Sequence, residues 1–157
     1  MELGAVISII QCLDARGRLV IPIVYSDKKE GQGRPMYWKF PSGHVEESDL
    51  PRALGNNETP DAALLVGAAK RAALRETEEE TGLCNVVELT LVCTIDKRNH
   101  RQYVFSGKAT DLSGLYPLGT PGKTGERVTL ATPAEIAGMR GEFLPQHLEL
   151  IHSLQAR

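Results

Sequence analysis

Between Thr59 and Gly82 the chain carries the marks of a long helix set inside a β-rich sequence, and that feature narrows the fold more than any other. Thr59 suits an N-cap, Pro60 the first helical position and Asp61 the positive end of the helix dipole. Alanines and straight-chain residues then run to Thr81, and Gly82 offers a left-handed C-terminal cap. Gly67 costs about 1 kcal/mol relative to alanine inside a helix, so one long helix and two shorter ones both remain open. Upstream, residues 5–12 and 19–25 are β-branched runs separated by Asp14-Ala15-Arg16-Gly17, the pattern of a hairpin. Pro22 has no N–H to give a ladder and marks an edge or an irregularity in the second run. Residues 36–40 read as a short aromatic strand halted by Pro41-Ser42-Gly43, with loop after Gly43. Residues 86–95, 102–109 and 127–130 read as strands, and residues 133–139 and 145–154 as closing helices. Strands on both sides of a helix imply an α/β fold, a mixed sheet covered by helices.

A length of 157 residues suits one domain spanning residues 1–157. With 41% hydrophobic and 24% charged residues the chain belongs with globular rather than disordered sequences. The net charge of −2 hides an asymmetry, since acids gather between Glu76 and Glu80 while Lys28, Lys29, Arg98 and Arg101 are scattered. No basic stripe invites a nucleic-acid duplex. The opening residues lack a basic leader, and their apolar run is too short for a membrane span, so no membrane partner is expected. Cys12, Cys84 and Cys93 have neither disulfide nor zinc spacing, which suits reduced thiols in a cytoplasmic protein, with Cys84 as a small buried hydrophobe. The four histidines, His44, His100, His147 and His152, show no metal-binding spacing and are expected at the surface or in helix packing. Of Tyr37 and Trp38, which alternate on one strand, at least one belongs in the core.

The chemistry concentrates in Arg75-Glu76-Thr77-Glu78-Glu79-Glu80-Thr81-Gly82-Leu83. On a helix Glu76, Glu79 and Glu80 share a face, while Glu78 points elsewhere. Like charges at that spacing weaken a helix by roughly a few tenths of a kcal/mol per pair, a penalty that a shared divalent cation removes. Oxygen-only ligands suit Mg²⁺, or Mn²⁺, rather than zinc. Glutamates are also good helix formers, and a glutamate-rich helix is more often a solvated face, so spacing alone leaves both readings standing.

The surrounding residues resemble the Nudix hydrolase family, whose box runs G-x5-E-x7-R-E-U-x-E-E-x-G-U with U aliphatic or similar. Arg75-Glu76, Glu79-Glu80 and Gly82-Leu83 match its second half, with Thr77 in the first U position. Upstream, Trp38-Lys39-Phe40-Pro41-Ser42-Gly43-His44-Val45-Glu46 is similar to the family's strand and tight turn, with Ser42 replacing one glycine. Gly43 and Arg75 stand 32 residues apart where the box has 14, which implies an insertion of about 18 residues. The family's middle glutamate, which supports the arginine by a salt bridge, then falls on Glu58 of Glu58-Thr59-Pro60, on Asp49, or on nothing; Glu58 is favoured.

The resemblance implies a Nudix-like α/β/α sandwich and an Mg²⁺-dependent hydrolase that cleaves a phosphoanhydride bond in a nucleoside diphosphate linked to a moiety X. Nucleoside triphosphates, nucleotide sugars and dinucleoside polyphosphates are the expected substrate types. Glu76, Glu79, Glu80 and the Gly43 carbonyl are the implied metal ligands, and Arg75 orients the glutamates. Glu80 or the loop residue Glu126 is the implied general base, with Glu46 and Glu135 as alternatives. Lys39 and Glu46 are candidate substrate contacts. A nucleotide-sensing module that hydrolyses little is the competing reading, and a homodimer is compatible with either. The inserted segment, residues 47–67, would lie beside the site as a lid or a partner surface.

Overall fold

The computed structural model describes residues 3–26, 36–51 and 59–155. The hairpin forms as expected, β1 over Ala5–Leu13 and β2 over Leu19–Ser26, with Gly17 at φ +76° in the turn. Asp14 stabilises that turn by accepting the Arg16 and Arg18 amides. After β3 (Trp38–Lys39) the chain does not dissolve into loop at Gly43; a further strand, β4 (Ser42–His44), pairs with the first half of β1. A single 3-10 turn at Glu47–Asp49 follows. Then come α1 (Ala62–Thr81), β5 (Val86–Asp96), β6 (Arg101–Ala109), β7 (Glu126–Ala131), α2 (Pro133–Ala137) and α3 (Pro145–Gln155).

The strands make one mixed sheet in the order β3-β2-β1-β6-β5, with β4 beside β1 and β7 beside β2. β1 is parallel to β6, and the other pairs are antiparallel. The second half of β1 pairs with β2 only through Cys12–Val20 and Leu13–Leu19, after which β2 departs to pair with β7 and β3. Pro22 lies in that departing stretch, where its missing N–H breaks no β1–β2 bond.

Helices cover both faces of the sheet, which is the expected α/β arrangement. α1 lies against Val6, Ile10, Tyr103 and Phe105 through Ala68, Ala69, Ala72 and Ala73, all of them buried. Alanines let the helix axis approach the sheet closely, and the helix runs through Gly67 unbroken. Its N-cap is Asp61, whose carboxylate accepts the Leu64 amide, rather than Thr59. Asp61 wins because its carboxylate reaches the third N–H of the first turn and suits the dipole. At the far end Gly82 takes φ +87° against Gly114, where a Cβ would strike the Gly114 carbonyl. α2, α3 and the segment between them cover the other face, packing Ile136, Phe143 and Ile151 onto Ile7, Ile9 and Val104. Cys84 is exposed, contrary to expectation, because Leu83 takes the buried place after the cap. Among the described residues no helix is long and apolar enough to cross a membrane.

Candidate active site

The acidic end of α1 meets the turn between β3 and β4. Glu80 is only 4% exposed and accepts the Ser42 backbone N–H at 2.8 Å. Thr77 and Thr81 face the same way and return their hydroxyls to carbonyls one turn back, Ala73 at 2.7 Å and Thr77 at 2.6 Å. Their side chains thus need no other partner, and the helix reaches the sheet with Glu80 as its one buried charge. Gly43 lies against Glu76 so closely that a Cβ would overlap the carboxylate. This contact requires a glycine for space rather than for backbone conformation.

Arg75 organises the acids. It donates to Glu76 at 2.9 Å, to Asp49 at 3.0 Å and to the His44 carbonyl at 3.1 Å, and lies 3.7 Å from both Glu46 and Glu79. The salt-bridge role expected of Glu58 is therefore filled by Asp49, whose side chain is 7% exposed. Glu58 itself lies outside the described residues. Asp49 also accepts the Glu46 amide at 2.8 Å, and its own carbonyl accepts from Arg71, so the 3-10 turn is fastened to α1 at two points. Counted forward from Gly43, Asp49 is where the box places its middle acid, 26 positions before Arg75.

Glu76, Glu80, Gly43 and Glu46 line a cleft of about 480 Å³, together with Glu126 and Lys39. Thr124 donates its hydroxyl to Glu126. Glu79 lies instead in the neighbouring depression with Arg75, Glu78, Tyr116 and Lys123. Glu135 is remote from the cleft lining and closes the capping box of α2 with Thr132. Trp38 packs on Tyr25 with ring centroids 5.4 Å apart, and neither it nor Tyr37 borders the cleft.

Burial pushes the Glu80 carboxyl up to about 8; Lys39 and the Ser42 amide oppose the shift, and Glu126 and Glu76 add to it. Glu76 is also raised, by burial first, against the pull of Arg75. At the other end of the cleft His147, 4% exposed, accepts the Phe40 N–H at Nδ1, 3.1 Å away, and stacks on the Phe40 ring. Burial, helped by Lys39, depresses it to about 3. Its role in helix packing agrees with the sequence, but its place on the cleft wall has no sequence signal, because a lone histidine on an amphipathic helix looks like any core residue.

Glu76 and Glu80 offer only carboxylate oxygens, with the raised pKa of each set first by burial and only then by neighbouring carboxylates, and an oxygen-only set of this kind fits a hard divalent cation. Among the described residues no three acidic, histidine or cysteine side chains are drawn together as an ion would draw them. Glu76 is held by Arg75 and Glu80 by Ser42, so an ion here would share those carboxylates with their present partners.

No family model matches the sequence, and no curated protein does. The fold has many counterparts among solved structures. A MutT described from Aliivibrio salmonicida and Vibrio cholerae is 20% identical with a TM-score of 0.60, covering 98% of this chain and 96% of its own. A NUDIX hydrolase from Alicyclobacillus acidocaldarius is 14% identical with a TM-score of 0.67, covering 98% of this chain and 91% of its own. The C. elegans Ap4A hydrolase is 14% identical with a TM-score of 0.57, covering 99% of this chain and 98% of its own. Sheet order, helix placement and these likenesses agree: the chain has the Nudix hydrolase fold.

Proposed function

We propose that this chain hydrolyses a phosphoanhydride bond in a nucleoside diphosphate linked to a further moiety X, with Mg²⁺ or Mn²⁺ as cofactor. One observation carries the reading: Glu80, almost fully buried, shares the wall of an open cleft with Glu76 and Glu126. Burying a carboxylate among other carboxylates is unfavourable for folding and is found where a site receives positive charge. The fold's occurrence in a C. elegans Ap4A hydrolase supports the substrate class.

Glu76, Glu80 and the Gly43 carbonyl are the groups that would hold the ion, with Glu79 available from the neighbouring depression. A bound divalent ion supplies charge to neutralise phosphate oxygens and to acidify water. In its ionised form Glu80 would be suited to accept the proton of the attacking water, and Glu126, held by Thr124, is the second candidate base. Lys39 meets the negative charge that develops on the leaving phosphate. Glu46, on the rim with its side chain 58% exposed, is placed to meet the part of the substrate that leaves the cleft. Arg75 touches no reacting atom and holds Glu76 and the Asp49 turn in register.

Turnover of nucleoside triphosphates, dinucleoside polyphosphates and nucleotide sugars is measured with Mg²⁺ or Mn²⁺, beside Glu79→Gln and Glu80→Gln. Metal-dependent release of product that both substitutions abolish is the expected result. Nucleotide binding without product in every reaction would overturn the proposal in favour of a sensing module.

A further inference from the structure

Lys39 lines the cleft together with Glu80 and His147 and is close enough to act electrostatically on each. The end at His147 is built differently from the acidic end. His147 occupies the first turn of α3, which has no acidic residue to offset the positive end of its dipole. Because Nδ1 accepts the Phe40 N–H, the neutral imidazole must carry its proton on Nε2. Stacking on Phe40 fixes the ring plane. Among the described residues Nε2 has no protein partner, although the residue is 96% buried and lines the cleft. A donor so placed, beside an ammonium group and a helix N-terminus, matches an anionic oxygen.

We propose that His147 is a substrate-binding residue whose Nε2–H donates to a phosphoryl oxygen, working with Lys39 to hold the end of the polyphosphate away from Glu80. The proposal rests on the polyphosphate reading above and goes beyond it by assigning a residue outside the box. A neutral imidazole suits this position, because it grips the phosphate without withdrawing charge from the acidic end.

Two substitutions separate the roles of the two nitrogens. His147→Asn keeps an acceptor near Nδ1 for the Phe40 amide and removes the Nε2 donor. His147→Gln keeps an amide donor near Nε2 and gives up the acceptor. Binding of ADP and of inorganic pyrophosphate, each with Mg²⁺, is measured by calorimetry. His147→Asn is expected to weaken both by about ten- to a hundredfold, the worth of a hydrogen bond to a charged group, while His147→Gln stays within about threefold of the unaltered protein. In the unaltered protein, ¹⁵N spectra of the histidines should show Nε2 of His147 shifting when pyrophosphate is added, with Nδ1 remaining unprotonated. That measurement stands even if a variant does not fold. Failure of the unaltered protein to bind either probe would remove the polyphosphate reading itself. Binding by the unaltered protein with an unmoved Nε2 signal, or with equal affinity in His147→Asn, would overturn only the role given to His147.

Discussion

Glu80 and His147 reach one cleft from the two helical layers that sandwich the sheet, and both are buried titratable groups kept neutral by loss of solvent. Their surroundings differ. His147 is settled at Nδ1 by a backbone amide and on its face by a phenyl ring, leaving a single open donor. Glu80 has one amide and one nearby lysine against two further carboxylates. The imidazole end is finished as protein structure and has room for one oxygen, whereas the carboxylate end is electrostatically incomplete and gains from an ion. A buried acid and a buried neutral base thus give one cleft two chemically distinct ends.

The strongest way to break this contrast is Glu80→Gln. Turnover is expected to fall about 10³-fold, the scale of losing a positioned acid or base. Stability in EDTA should move the other way. The folded carboxyl is raised to about 8 from its ordinary 4.5, so its burial becomes more costly as pH rises between those values, and the amide escapes that cost. Thermal unfolding at pH 8 should show a higher midpoint for the variant; a lower one would mean that Glu80 is already fully compensated. Gly43→Ala is next, because its methyl overlaps the Glu76 carboxylate and must displace it. A misplacement of about 1 Å costs roughly 10²-fold in turnover, which steady-state assays would detect while far-ultraviolet circular dichroism stays unchanged.

Asp49→Asn sharpens the acidic end by loosening its frame. Arg75 keeps Glu76 but loses its best-buried partner, so urea unfolding should show a loss of about 2 kcal/mol, less than for a fully buried pair since the Arg75 side chain is 25% exposed. Turnover should fall roughly tenfold through misorientation of Glu76. Glu58→Gln, by contrast, should change neither quantity. If the two substitutions exchanged these effects, Glu58 would be the partner of Arg75.

Those two acids also show what the sequence could and could not convey. The strands, the long helix and its glutamates were legible because hydrophobic periodicity, capping residues and box spacing are local properties. The partner of Arg75 was not, because 26 positions separate Asp49 from the arginine and only the fold decides which acid returns. Asp49 makes the ion pair with Arg75, whereas Glu58 of Glu58-Thr59-Pro60 lies outside the described residues. β4 was read as loop because three residues with a glycine carry no strand propensity; its pairing comes from the β1 edge that β2 leaves free. Glu79 shares a helical face with Glu76 and lies near the same Arg75 nitrogen, although it lines the neighbouring depression. His147 carried no motif at all.

The smallest expected effect tests the imidazole end by its acid response. An unfolded histidine takes a proton below about 6.5, whereas folded His147 resists until about 3. Between those values the unfolded chain binds the extra proton, so the contribution of His147 to stability is complete above about pH 6.5 and is lost progressively as pH falls toward 3. The slope is on the order of 1 kcal/mol per pH unit. His147→Phe keeps a ring against Phe40 but cannot titrate, and it leaves the Phe40 N–H without its acceptor. At pH 7 it should therefore be less stable by about 1–3 kcal/mol. As the pH is lowered from 6.5, denaturation by urea should bring the two stability curves together, because the carboxylates titrate alike in both proteins and only the histidine differs. Curves that stay parallel down to pH 4 would mean that the folded imidazole accepts a proton freely. His147 would then be a second cation beside Lys39, and the cleft would have an acidic end and a basic end in place of a fixed neutral donor.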